Sequence, residues 1–127
     1  MKYLLDTHAW VELLEGSHRG EKVRKIIKNP KNTIIISDAT FAEIYTWATR
    51  KGKNPGPAIA MIRNNSNSFN IYTNIWVEAA HEKELMRRTK KDFGQIDALL
   101  LAIQRVTGSK IVTGDPHFEG VKDAIII

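Results

Sequence analysis

The sequence predicts an α/β protein built on an open, mostly parallel sheet with helices on both faces. Two observations carry this expectation. Short runs rich in leucine or β-branched residues alternate with longer segments whose apolar residues recur at helical spacing. The short runs are also apolar almost throughout, as strands covered on both sides must be. The 127 residues suffice for one core, and no repeat or linker divides them, so residues 1–127 read as one domain.

The elements follow in order. Tyr3-Leu4-Leu5 is the first buried strand, and residues 8–15 and 19–28 are helical. Asn29-Pro30-Lys31-Asn32 is a turn, and Thr33-Ile34-Ile35-Ile36 is the second strand. Phe41, Ile44, Tyr45 and Ala48 repeat at helical spacing within a helix over 38–50. The Gly- and Pro-rich stretch 51–57 breaks the chain, and a helix resumes over 58–63. Residues 64–68 read as a polar loop and 69–72 as the third strand. Two longer helices cover 75–88 and 94–106, Lys110-Ile111-Val112-Thr113 is the fourth strand, and 124–127 is the fifth.

Composition narrows the chemistry. The absence of cysteine excludes disulfides, thiolate metal sites and a cysteine nucleophile. Apolar residues make up 43% and charged residues 26%, a globular balance. No stretch approaches the roughly 18 apolar residues of a membrane span, and Asp6 interrupts the short apolar run at Met1–Leu5, so no secretory leader is read there. The expectation is a soluble cytoplasmic protein with no membrane partner. The net charge is +5, and the basic residues cluster. One group is Lys22, Arg24, Lys25, Lys28 and Lys31, another Arg50, Lys51 and Lys53, and a third Arg87, Arg88, Lys90 and Lys91. Each fits a solvated helix face; together they fit a polyanionic partner such as nucleic acid.

The acids fall at telling places on this frame. Asp6 ends the first strand, Glu43 lies early in the helix after the second, and Asp115 follows the fourth by two residues. In a parallel sheet those strand ends share one edge, where open α/β sheets carry their sites. Asp97 opens the helix that leads back to the fourth strand, and an antiparallel return brings it to the same edge. Two carboxylates about 4 Å apart repel by roughly 4 kcal/mol at an effective dielectric near 20, so such a cluster requires protons or cations. Oxygen donors without cysteine favour Mg²⁺ or Mn²⁺ over Zn²⁺. Such ions activate water and stabilise the leaving oxygen of a phosphodiester, which makes an acidic pocket in a basic surface a nuclease pattern.

Each acid also has a structural reading. Asp6 fits a helix N-cap, and Thr40-Phe41-Ala42-Glu43 fits a capping box with Glu43 off the apolar stripe. Asp97 fits a helix-dipole partner too far inside its helix to be the cap, and Asp115 fits a turn before Pro116. Thr7 and Thr113 suit either support of the carboxylates or satisfaction of strand-end backbone. His117 lies near enough in sequence to touch substrate, while Trp10, Trp47 and Trp76 read as core or interface rather than base-stacking residues.

At these residues the sequence resembles the PIN-domain family, most closely the VapC-type ribonuclease toxins. Leu4-Leu5-Asp6-Thr7 is similar to the family's first motif, and Ser37 to Glu43 to its second. Asp97-Ala98 with the apolar run behind it matches the third, and Thr113-Gly114-Asp115-Pro116-His117-Phe118 the fourth. The four stand in register over essentially the whole chain. The resemblance implies a PIN-like nuclease domain over residues 1–127 with sheet order 3-2-1-4-5. It implies an Mg²⁺- or Mn²⁺-dependent endoribonuclease whose catalytic and metal-holding acids are Asp6, Glu43, Asp97 and Asp115, with Thr7 and Thr113 in support. It further implies an RNA substrate, homodimers and a cognate antitoxin. His117 stands where many members carry an acid, which implies one tightly held ion and a weaker second. Other readings stay open: a PIN nuclease of RNA maturation or decay, a non-catalytic RNA-binding module, and a metal-dependent phosphatase. A phosphatase of the haloacid-dehalogenase type wants an acid two residues after its nucleophile, where this chain has His8.

Overall fold

The computed structural model describes residues 1–127. Five strands form one parallel sheet in the order β3-β2-β1-β4-β5. They are β1 (Lys2–Leu5), β2 (Thr33–Ser37), β3 (Asn67–Phe69), β4 (Lys110–Thr113) and β5 (Ala124–Ile126). The helices are α1 (Thr7–Glu15), α2 (His18–Lys28), α3 (Asp38–Arg50), α4 (Pro55–Asn64), α5 (Thr73–Met86) and α6 (Gln95–Thr107). No helix is long and apolar enough to cross a membrane.

Strand side chains point alternately to the two faces, so one strand feeds two cores. Leu4, Ile35 and Ile111 pack beneath α5 and α6. Leu5, Ile34, Ile36 and Val112 face the opposite way, toward Trp10, Val23, Ile44 and Ile62 of α1 to α4. The chain steps outward from β1 through β2 to β3 over α1 to α4, then returns over α5 and α6 to lay β4 on the other side of β1. The step reverses between β1 and β4, and the crevice at such a reversal is where this architecture binds ligands.

α6 is apolar on nearly every side because it is buried on nearly every side: Ala98 through Ile103 are all buried. Cutting Leu99 to alanine there would cost about 2–5 kcal/mol. α1 meets α2 at Gly20, where a Cβ would come within 2.2 Å of the Glu12 carbonyl oxygen, so only glycine permits that approach.

Two elements differ most from the sequence expectation; α5 also lies two residues earlier than the expected 75–88, and the remaining ends move by one residue at most. The third strand is 67–69 rather than 69–72, because Asn67 and Ser68 pair with Ile35 and Ile36 through the backbone, the Asn67 side-chain amide donates to the Ile34 carbonyl at 3.4 Å, and both residues stay exposed. An edge strand of this kind has no apolar pattern to display. α4 begins at Pro55 rather than residue 58, since Asn54 caps it and both prolines sit in the first turn, where their missing N–H groups cost nothing.

Candidate functional site

Asp6 leaves the end of β1 and turns its side chain back over the sheet. Oδ1 accepts from the Ala9 N–H at 2.9 Å, capping α1, and Oδ2 accepts from the Thr113 hydroxyl at the end of β4. The carboxylate is only 4% exposed, so it serves both the helix cap and the crevice. Thr113 passes the connection on: its hydroxyl oxygen accepts from the Asp115 N–H at 2.9 Å. The neighbouring strand ends are thereby tied through one hydroxyl.

Asp115, Asp97 and His117 form the second part of the site. Asp115 caps the short 3₁₀ turn 116–118 by accepting from the His117 N–H at 2.8 Å. That turn carries the His117 ring to the start of α6, where Nδ1 lies 3.2 Å from Asp97 Oδ2 and 3.5 Å from Asp115 Oδ1. One donor atom from each of these three residues falls within a 4.8 Å group. Asp97 does take part in capping, contrary to the sequence expectation: it is the third residue of α6, and Oδ2 accepts from the Gly94 N–H at 3.3 Å. A glycine has no side chain to cap with, so the acid reaches back in its place. Burial raises the Asp97 carboxyl above its ordinary value, and the Asp115 charge adds to the shift; the Gly94 N–H and His117 oppose it.

Glu43 is exposed on α3, where the Thr7 hydroxyl donates to Oε1 at 2.7 Å. It is not half of a capping box. α3 starts two residues before Thr40, its cap is Ser37, and Thr40 is buried inside the helix. His8 completes the ring of groups, with Nδ1 3.4 Å from Asp6 Oδ2. That hydrogen bond raises the imidazole above its ordinary value; partial burial opposes it, and the charges of Asp6, Asp115 and Glu43 reinforce it. All three acids thus act on one imidazole.

The arrangement suits a hard divalent cation. Asp97 and Asp115 offer oxygens within bridging reach, and the only ion pairs they make within the chain are with His117. Nδ1 of His117 is either a protonated donor to those carboxylates or a lone-pair ligand beside them; one nitrogen cannot be both. Asp6 lies across Thr113 from this group, and Glu43 lies farther out beside Thr7.

The structure adds residues that sequence reasoning passed over or placed elsewhere. His117, read as a substrate contact, sits inside the acid cluster. His8 had no role assigned. Arg19 of α2 brings Nη1 to 3.9 Å from where a Cβ on Gly114 would stand, which places a guanidinium beside the turn between Thr113 and Asp115. The basic clusters divide. Lys90 donates to the carbonyls of His117 and Glu119 at 2.6 Å each, and Arg87 Nε donates to the Phe93 carbonyl at 2.9 Å, so this group holds the loop and helix start behind the acids. Arg50 and Lys51 instead line a cavity of about 690 Å³ that includes Thr7, His8 and Glu43.

The PIN domain model matches residues 3–124. No curated protein sequence matches the chain. Among solved structures, the VapBC2 complex of Rickettsia felis, bound to a fragment of promoter DNA, aligns with a TM-score of 0.76 at 17% identity over 100% of this chain and 98% of that one. VapBC-1 of nontypeable Haemophilus influenzae gives 0.75 at 17% identity over 100% and 97%. VapC20 of Mycobacterium tuberculosis, a toxin that cleaves the sarcin–ricin loop, gives 0.74 at 18% identity over 95% of each chain.

Proposed function

As the chain belongs to the PIN-domain family, we propose that it is a divalent-metal-dependent endoribonuclease and the toxin of a VapBC-like toxin–antitoxin pair. The observation that carries this reading is the meeting of Asp6, Asp97, Asp115 and His117 around Thr113 at the switch between β1 and β4. Asp97 and Asp115 are the proposed holders of Mg²⁺ or Mn²⁺, with Asp6 and the outlying Glu43 completing the acidic pocket. The bound ion supplies Lewis acidity toward water and the scissile phosphodiester.

The chain's own groups have separate tasks. Thr113 fixes the Asp6 carboxylate by donating to one oxygen, while the Ala9 N–H fixes the other. Thr7 holds Glu43, and His8 presents a cation-capable ring beside Asp6. Arg19 beside Gly114 and Arg50 with Lys51 beside Glu43 supply positive charge around an acidic centre, the distribution that holds a phosphodiester backbone near it. The toxin assignment draws on the likeness to VapBC proteins; with it come a cognate antitoxin and a homodimer as expected partners.

Purified RNA incubated with the protein and Mg²⁺ or Mn²⁺ should be cut internally, and a chelator should stop the reaction. Asp6→Asn should reduce cleavage more than about 100-fold, the scale of losing a preorganised charged group in a site. Equal cleavage by Asp6→Asn or in excess chelator would defeat the proposal. Co-expression with a small protein encoded beside this gene should relieve growth arrest if the chain is a toxin; an RNA-maturation nuclease would show cleavage without arrest.

A further inference from the structure

Trp47 sits on α3 one turn beyond Glu43, so both project from the same side of that helix. Trp10 is wholly buried, but Trp47 is only partly buried and borders two cavities. The smaller, about 200 Å³, holds Lys53, whose ammonium stands 5.1 Å from the indole centroid. The larger, about 690 Å³, does not include Lys53; it runs from the ring to Thr7 and Glu43 at the acid cluster and carries Arg50 and Lys51. Its size lies within the roughly 300–1,000 Å³ of small-ligand sites. Only Glu43 brings negative charge to its lining, and that carboxylate is engaged by Thr7.

An aromatic face, two cations and an open passage to the acids match the chemistry of a single-stranded nucleotide. We propose that this groove is a nucleotide subsite in which the nucleobase next to the scissile phosphate stacks on Trp47 while Arg50 and Lys51 hold the flanking phosphates. The inference rests on the ribonuclease reading and deepens it. Stacking on an indole tolerates every base but favours the larger purine face, and the cations read no sequence. Trp47 is therefore a positioning residue that brings the strand to the acids in one register, with a preference for purine at that place.

Binding measured in the presence of chelator separates this from catalysis. Oligoadenylate and oligouridylate are titrated against the full chain by fluorescence anisotropy. Oligoadenylate should bind more tightly, and Trp47→Ala should weaken it at least about fivefold, the lower end of what one stacked base contributes, and erase the adenylate preference. Trp47→Phe, which keeps a ring for both stacking and packing, should retain that preference. Arg50→Gln combined with Lys51→Gln should weaken both probes alike and flatten the salt dependence by about 1.4 in log–log slope, from two lost phosphate contacts. Thermal melting of each variant checks the fold. Unchanged affinity and preference in Trp47→Ala would overturn the subsite and assign the groove to a protein partner, while cleavage by the parent with added metal would leave the nuclease reading standing. The predicted binding pattern without any cleavage would support the subsite and sink the nuclease.

Discussion

Glu82 and Asp97 lie on the packed helices α5 and α6, and burial raises both carboxyls above their ordinary values. Their surroundings then diverge. Arg105 reaches over Glu82 from α6, with Nη1 2.6 Å from Oε1, so the chain brings its own cation to an acid that is 3% exposed. The contact is one of charge: its angle falls short of a hydrogen bond, and Oε1 has no donor aimed at it. Each has a second acid beside it, Glu78 next to Glu82 and Asp115 next to Asp97, but Arg105 also reaches Glu78 at 3.8 Å, whereas the two aspartates share only a histidine as ion-pair partner. A fold that pairs an arginine with one acidic couple pairs the other only with a histidine. What it left unneutralised is where an external cation gains most.

Four measurements test this contrast, from the largest effect to the smallest. Asp97→Asn should cut RNA cleavage more than about 100-fold, as for other preorganised charged groups, while its melting temperature stays at or above the parent's, because the change removes a repulsion. A large loss of stability would mean that Asp97 serves the fold first. Mg²⁺ or Mn²⁺ should stabilise the parent by about 2.7 kcal/mol at a hundred times its dissociation constant, and Asp97→Asn far less. Equal stabilisation of both would place the ion elsewhere. Arg105→Ala should cost about 1–2 kcal/mol in denaturant unfolding with cleavage intact. That is below the cost of breaking a fully buried pair, because Arg105 itself is 61% exposed.

The smallest effect is a pH slope. Burial raises the Glu82 carboxyl from its ordinary 4.5, so the folded chain keeps a proton that the unfolded chain has released. This group's contribution to stability is full below that value and declines as pH rises through the folded pKa. Glu82→Gln should flatten that decline. An identical stability–pH curve in the variant would show that Arg105 already offsets the burial.

Much of this organisation was legible in the chain. Leu4-Leu5-Asp6 and Lys110 to Thr113 announced strands of the right length with an acid or hydroxyl at the end, because a doubly covered strand has to be apolar and its terminus is where polarity returns. Sheet order followed from the family resemblance. What stayed hidden depended on direction or on backbone alone. By spacing alone Glu43 fits a capping box, and only the family resemblance makes it a site acid, because spacing says nothing about where a helix starts; Ser37 starts it earlier and leaves Glu43 to Thr7. The place of His117 depends on a 3₁₀ turn that swings its ring over Asp97, and a turn of three residues has no periodicity to read. Trp47 read as packing because an aromatic on a helix says nothing of whether its exposed side meets solvent or a groove.

The hydroxyl of Thr113 bonds a carboxylate 107 residues earlier in the chain. A link across so long a stretch forms only after β1 and β4 have paired, among the slowest contacts for a chain to reach. A ribosome releasing this polypeptide from its first residue therefore exposes Asp6 long before its partner exists. If the acids act together as proposed, a nascent chain should leave RNA uncut until the fourth strand has emerged and docked.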